Sequence, residues 1–480
     1  MPFKRATLLS LLALAACDFG GGKSGVEAPL NRIFLPSGAA VVAQGKRLLV
    51  VNSNSDLRYS TGTVVPFNLQ AATEDRDPAK WQLCPSVDYR PKVSTQRFCC
   101  RDLLDPRVLS CDDRPYAEAE ATVRIGSFGA APVVQRFVRN GESVERLFFG
   151  VRADPSVTFV DATDVAGKAK LTCNGAIGGP GSARKNPQCD GAFRVEKGTV
   201  QGLDTDLPEE PFDLHLDAGL GVIYVGHLQG GISVLDTCGA EVNIAPRLAG
   251  VLFFPYEANQ SSGVTSAIPS VPGDPLSPVF TTARLGLNLG VLYFREGANL
   301  PGACSVTAPR DLTLVAAAPS AATAFVPRGA DTRGLIYQPQ RQRAFILYRN
   351  TQGNPAALSR ARVVANNVGR LEFAPAESID VCAGPSQLLL HDYGRGPRLF
   401  VTCFDSGQIY VVDPELMVVT ENIDVGRGPS MLVFDDNDPS LAYVTGFVDN
   451  NVSVVDLRVN SPTEARVIQR IGFPRTSAQL

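Results

Sequence analysis

The sequence predicts an all-β chain folded into a β-propeller, with seven blades as the count, on three observations. Two segments repeat one pattern: GPSQLLLHDYGRGPRLFVTCFDSGQIYVVD at 384–413 and GPSMLVFDDNDPSLAYVTGFVDNNVSVVD at 428–456, with Pro385 and Pro429 placed 44 residues apart. A period of about 40–45 residues holding several short strands is the sequence mark of a propeller blade. Short apolar runs bounded by turn formers recur along the whole chain, as expected of strands buried between stacked sheets. The composition agrees, because 44 Gly and 35 Pro stand against three Met and one Trp in 480 residues, which is rich in turns and poor in helix formers.

The repeats take their order from these two. A unit should read as strand a after a Pro or Gly, an apolar strand b, a tight loop, then a strand c ending near Asp. Unit one is GAAVVA, RLLVVNS and TVVPFNL from Pro36 to Leu69, and unit two is RLFFGV and SVTFVD up to Asp161. Unit three is the most compact, with PFDLHLD, GVIYVGH and ISVLD between Pro211 and Asp236. Unit four is stretched: VLFFPY is taken as strand a, PVFTTA as b and GVLYF as c, around an insert at about 260–278. Unit five reads GLIYQPQRQ, RAFILYR and ALSRARV, and its strand c matches worst. Units four and five are eroded enough to leave six or eight blades as alternatives. ARVIQRIGFP near the C-terminus supplies a last outer strand, and NRIFLP at 31–36 starts the ring, so the two ends should meet. The propeller therefore spans 31–475, with a short tail at 476–480.

Before the ring, residues 1–16 carry a cationic start and an apolar run from Ala6 to Ala16, the build of a secretory signal and too short for a lone membrane span. Leu14-Ala15-Ala16-Cys17 resembles the bacterial lipobox, which implies lipidation of Cys17, and the Gly-rich 17–30 reads as a tether. Asp18 directly after the cysteine resembles the retention signal for the inner membrane in some bacteria, a rule that is not general, so either membrane stays open. With a formal net charge of −3 the chain lacks the basic footprint of a nucleic-acid binder.

Strands b and c resemble the YVTN-type β-propeller repeat of secreted bacterial proteins. The matching residues are Tyr443-Val444-Thr445-Gly446 with Val452-Ser453-Val454-Val455-Asp456, Phe400-Val401-Thr402-Cys403 with Ile409-Tyr410-Val411-Val412-Asp413, and Tyr224-Val225-Gly226-His227 with Ile232-Ser233-Val234-Leu235-Asp236. Asn52 alone keeps the repeat's Asn. The resemblance implies the fold and no single activity.

Setting Cys17 aside leaves an even ten cysteines, which in an exported chain reads as disulfides. Excursions at about 70–121 and 162–210 follow strand c of units one and two and so belong to the a–b/c–d face. The first holds Cys84, Cys99, Cys100 and Cys111; adjacent Cys99 and Cys100 should each take Cys84 or Cys111. Cys173 and Cys189 should close the second, Cys238 pairs with Cys304, and Cys382 with Cys403.

No convergent catalytic or metal set is legible, and no cofactor is expected. Ser386 and Ser430 follow Gly-Pro in turns and lack the glycine a nucleophile elbow needs. The acidic run Asp435, Asp436 and Asp438 lacks the spacing of a calcium loop. His215 and His391 read as structural. The b–c loops gather Arg58, Arg152, His227, Arg284 and Arg349 on one face, where a ligand would sit. The reading is a binding or scaffold propeller of the bacterial cell envelope, lipid-anchored and facing periplasm or exterior, for a protein or glycan partner. The alternative is a lactonase-like hydrolase with its site at the channel mouth; a quinone or redox propeller is a weaker third.

Overall fold

The computed structural model describes residues 26–91, 98–174, 186–238, 245–253, 263–284, 289–295, 310–316, 330–350, 356–365, 371–435 and 437–473. Its sheets make a seven-bladed β-propeller. Each blade is an antiparallel a-b-c-d sheet, and strands b and c are buried on both faces because neighbouring blades cover them. Arg47–Asn52 in blade one, Val222–His227 in blade three and Leu441–Gly446 in blade seven are buried at every residue. A single blade could not bury both faces; a ring of blades lets each one do so.

Blades six and seven follow the sequence reading, with strands Pro385–Asp392, Pro397–Cys403, Gln408–Asp413 and Val418–Asp424, then Pro429–Phe434, Leu441–Gly446, Asn451–Asp456 and Arg466–Gly472. Blade four departs from it. Its strand a is Val264–Pro269, inside the segment read as an insert, and it pairs with Val279–Ala283. Val251 and Leu252, the first two residues of VLFFPY, are instead the end of strand d of blade three, Arg247–Leu252. The Thr and Ser of VTSAIP weaken its apolar run and hide the strand in the sequence, yet every residue of it is buried.

The second excursion also begins later than its apolar pattern suggests. Strand c of blade two runs on to Val165, and strand d is split into two pieces that pair with different halves of c. Lys168–Thr172 pairs with Asp161 to Val165, and Arg194–Val195 pairs with Val157 and Thr158. The loop between the pieces is closed by Cys173–Cys189. Its returning end lies beside strand d of blade one (Val123–Ile125), where the Arg124 N–H donates to the Pro187 carbonyl and the Cys189 N–H to that of Arg124.

In the first excursion Trp81, Phe98 and Tyr116 meet edge to face and join the core shared by blades one and seven. Cys84–Cys100 and Cys99–Cys111 hold its hairpin, Cys99–Arg101 with Leu109–Cys111. That hairpin extends blade seven, because Leu109, Ser110 and Cys111 pair in parallel with Gln469, Arg470 and Ile471. Material from blade one thus caps the outer edge of the last blade, which covers a row of backbone donors and acceptors that would otherwise be open to pairing with another chain. Cys382–Cys403 ties the turn before blade six to its strand b. Cys238 is disulfide-bonded, while Cys304 and Cys17 lie outside the described residues.

The Asp closing strand c has a repeated task. In blade seven Asp456 accepts from the Arg458 N–H and guanidinium and from Ser461 and Thr463; in blade six Asp413 accepts from the Glu415 and Leu416 N–H groups. In blade three Asp236 is fully buried and takes Arg310 of the neighbouring blade at 2.5 and 3.1 Å.

Candidate functional site

Strand a of each blade faces the central channel, so the residues after its opening Pro set the channel wall. Pro-Ser recurs there at Pro36-Ser37, Pro385-Ser386 and Pro429-Ser430. Each serine hydroxyl donates to a carbonyl at the start of the next blade: Ser386 to Pro429 at 3.2 Å and Ser430 to Pro36 at 2.7 Å, each the first residue of strand a, and Ser37 to Gly129, just before strand a of blade two, at 2.6 Å. Thr265 and Thr332 link blades four and five the same way, hydroxyl to hydroxyl at 3.0 Å. Behind two of these serines stand Thr402 and Thr445, at 3.0 and 2.8 Å. The Thr of the repeat is thereby explained as a partner for the serine that joins blades. Gly384 and Gly428 sit in the turns at φ of +63° and +66°, which asks for glycine, whereas Ser386 and Ser430 are the second residues of strand a rather than turn residues.

Inside the belt lies a channel of about 560 Å³. Its lower wall is mostly apolar, with Leu214, Ile268, Leu335, Leu388 and Met431, and it carries Asp213 and His215 from strand a of blade three. Spaced two apart on one strand, these two point the same way. Asp213 accepts from the Ser266 hydroxyl and the Leu214 N–H, but burial outweighs both and pushes its carboxyl up to about 7. Burial lowers the His215 imidazole, against the pull of Asp217. At the mouth stand Phe128, Phe212, Phe404 and Phe447, with Arg152 and Arg333. Arg152 lies 5.8 Å over Phe128, Arg333 lies 5.7 Å over Phe212, and Phe404 and Phe447 meet at 6.0 Å.

The residues expected at this mouth have separate fates. Arg152 lines it, paired with Glu210 at 2.8 Å. Arg58, Arg284 and Arg349 sit on the same face but outside the channel lining, paired with Asp56, Asp331 and Asp405 at 2.8, 3.8 and 3.2 Å. His227 does not reach the channel. It is fully buried in blade three, with Nε2 2.7 Å from the Ser233 hydroxyl and Nδ1 3.2 Å from the Glu209 carbonyl, and burial pushes its pKa down to about 4. As the last residue of strand b its side chain turns into the blade. His391 stacks on Phe434 at 3.5 Å and caps the Pro439 carbonyl, whereas His215, read as structural, is the histidine in the channel. Asp435 and Asp438 cap their own turn, at Asn437 and Ser440; Asp436 lies outside the described residues.

Asp213, Arg333 and the four phenylalanines do not stand out in the sequence as site residues, and His215 reads there as structural. The available signal is position: the first two residues after the strand-a Pro line the channel, and Phe212-Asp213 stands where other blades carry Ser-Gln, Ser-Met or Ser-Gly.

No protein-family model matches the chain, and no curated protein sequence does. Solved structures match its fold. Hydrazine synthase of Kuenenia stuttgartiensis is 10% identical, with 92% of this chain and 98% of that one covered, at a TM-score of 0.50. A candidate 6-phosphogluconolactonase of Bacteroides uniformis is 12% identical over 91% and 95%, at 0.45. The Cps50 (Swd1) β-propeller domain of Myceliophteria thermophila is 8% identical over 89% and 98%, at 0.41. These likenesses speak to architecture alone.

Proposed function

We propose that this chain is a non-enzymatic binding propeller, anchored through Cys17 to a membrane of the bacterial envelope, that holds a protein or glycan partner at the aromatic mouth of its channel. The observation that carries the reading is the mouth itself: four partly exposed phenylalanines and two arginines around an opening, the side-chain types that dominate binding energy at interfaces. The tether supports it. The Val26 carbonyl accepts from the Ser60 N–H in the b–c loop of blade one, which puts the first described residue on the mouth's own side. Nine residues span at most about 30 Å, which holds the mouth close to the membrane and favours a partner that is itself at the membrane surface.

The test is capture from detergent-solubilised membranes with the tagged full-length chain and with Phe404→Ala/Phe447→Ala, alongside the intact mass of the N-terminal peptide. A partner recovered by the parent and lost by the variant, with lipid mass on Cys17, is the expected result. A partner retained by a folded variant sinks the mouth assignment, and an unmodified Cys17 sinks the anchor. Deleting 70–121 is not a clean alternative, since Ala72, Leu109 and Tyr116 belong to the core shared by blades one and seven.

A lactonase-like hydrolase is the second reading, favoured by the carboxyl, imidazole and guanidinium that Asp213, His215 and Arg333 bring to one channel. Turnover of a δ-lactone by the parent, abolished in Asp213→Asn, would establish it; no turnover by the parent removes it.

A further inference from the structure

Asp213, half-buried on the channel wall, differs from the buried acids of the blades. Asp236 is met by Arg310 and Arg247, Asp161 by Arg146 and Arg139, and Asp331 by Arg333. Asp213 faces the channel with a hydroxyl and one backbone N–H as its donors, and among the described residues no cation pairs with it. The charged and titratable groups that share the channel are His215 on its own strand, Arg152 held by Glu210, and Arg333 held by Asp331. Both arginines are committed to acids and to phenylalanine faces at the mouth. Burial lowers the His215 pKa, which favours the neutral ring and so a ring nitrogen over a competing charge.

We infer that the channel is a receptor for a primary ammonium group on an unbranched apolar stem, with Asp213 as its counter-ion. The stem would lie along Leu214, Ile268, Leu335, Leu388 and Met431, and the phenylalanines ring the point of entry. A carboxylate deprived of a partner in a partly dry channel is stabilised strongly by an incoming cation, which supplies what burial removed. An ammonium suits the site better than a guanidinium, because it is a compact charge with three freely rotating donors, and Asp213, the Ser266 hydroxyl and His215 offer dispersed acceptors rather than a planar fork. The same chemistry is presented by a lysine side chain of a partner and by a free alkylamine. This inference rests on the binding reading above and names the group that its partner inserts.

The experiment is calorimetric titration of the full-length chain with n-hexylammonium, with n-hexanol and hexanoate as neutral and anionic comparators, at pH 8.5 and pH 5.5. Hexylammonium should bind, and the comparators should bind at least tenfold more weakly at pH 8.5. With the carboxyl titrating near 7, about 3% of it is ionised at pH 5.5, so hexylammonium affinity should fall about thirtyfold there. Asp213→Asn should remove the preference for the cation and leave n-hexanol binding unchanged. A capped Gly-Lys-Gly peptide decides the source: tighter than hexylammonium assigns the stem to a protein partner, weaker assigns it to a free amine. Equal affinities for the three alkyl probes, a flat pH response of the parent, or no binding of hexylammonium at millimolar concentration would each overturn the inference, and the parent's pH response stands whether or not the variant folds. If Phe404→Ala/Phe447→Ala abolishes partner capture while Asp213→Asn leaves capture and titrations unchanged, the mouth survives as the interface and the ammonium site falls.

Discussion

Replacing Asp236 by Ala strands two guanidinium groups at the seam between blades three and four. The Asp236 side chain is fully buried and that of Arg310 is 7% exposed; they meet through two hydrogen bonds, at 2.5 and 3.1 Å, while Arg247 adds a third contact at 3.3 Å. Removing one partner of such a pair costs about 3–5 kcal/mol, chiefly because the remaining charge stays buried without a counter-ion. Arg247 is about a fifth exposed and can turn to solvent, so the cost falls on Arg310. An unfolding entropy of about 2.1 cal/mol/K per residue over 480 residues gives about 1 kcal/mol per degree, so Tm should drop by about 3–5 °C. Thermal melts followed by far-UV circular dichroism read this directly. The pair Asp236→Ala/Arg310→Met should recover most of the loss, because the unmatched charge leaves with Arg310. A single variant within 1 °C of the parent, or a double variant no better than the single, would refute the argument that the acid matters by neutralising Arg310.

Three further outcomes follow from the same structure. Cys99→Ser with Cys111→Ser should lower Tm by about 2–4 °C, the equivalent of about 2–4 kcal/mol, because the hairpin that caps blade seven loses its tie. His227 is held neutral, with a folded-state pKa of about 4 against an ordinary value near 6.5. Its contribution is complete above about 6.5 and is lost as pH falls toward 4, amounting to at most about 3 kcal/mol, so denaturant midpoints of the parent should drop between pH 7.5 and pH 4.5 by more than those of His227→Gln. Asp213 has the opposite sign: its folded pKa lies above its unfolded one, so its contribution is full below about 3.8 and lost as pH rises through about 7. Asp213→Asn should therefore gain stability over the parent at pH 8, by up to about 4 kcal/mol and less where solvent enters the channel, and gain none at pH 4.

The periodic parts of the chain were legible because a strand b or c covered on both faces is mostly apolar, and RLLVVN, VIYVGH and LAYVTG announce themselves. Outer and inner strands hide better. VTSAIP in blade four is buried by its neighbours rather than by its own hydrophobicity, and strand d of blade two is cut in half by a loop that no pattern of period two would bridge. The adjacency of Cys99 and Cys100 restricted the first excursion's pairing on steric grounds, but its docking on blade seven joins residues about 360 apart and leaves no local trace. The site suffered most. A charged residue on a b–c loop looks available in a sequence, whereas the ring had already matched Arg58, Arg284 and Arg349 to acids; Asp213 looked ordinary because nothing in its neighbours reveals that it lacks a cation.

The parallel pairing of Leu109–Cys111 with the final strand sets an order of assembly. The described disulfides close over sequence separations of only 12, 16, 16 and 21, so each can form as soon as its own short segment has emerged. The seam between the last blade and the first cannot, since it waits for residues at the far end of the chain, and closing so long a loop is entropically slow. A chain made from its N-terminus therefore carries a finished, oxidised hairpin with an unmatched backbone edge for most of its synthesis. Until Gln469, Arg470 and Ile471 arrive, that edge is free to pair with any passing strand, and an early stop codon anywhere in blade seven would leave it so permanently.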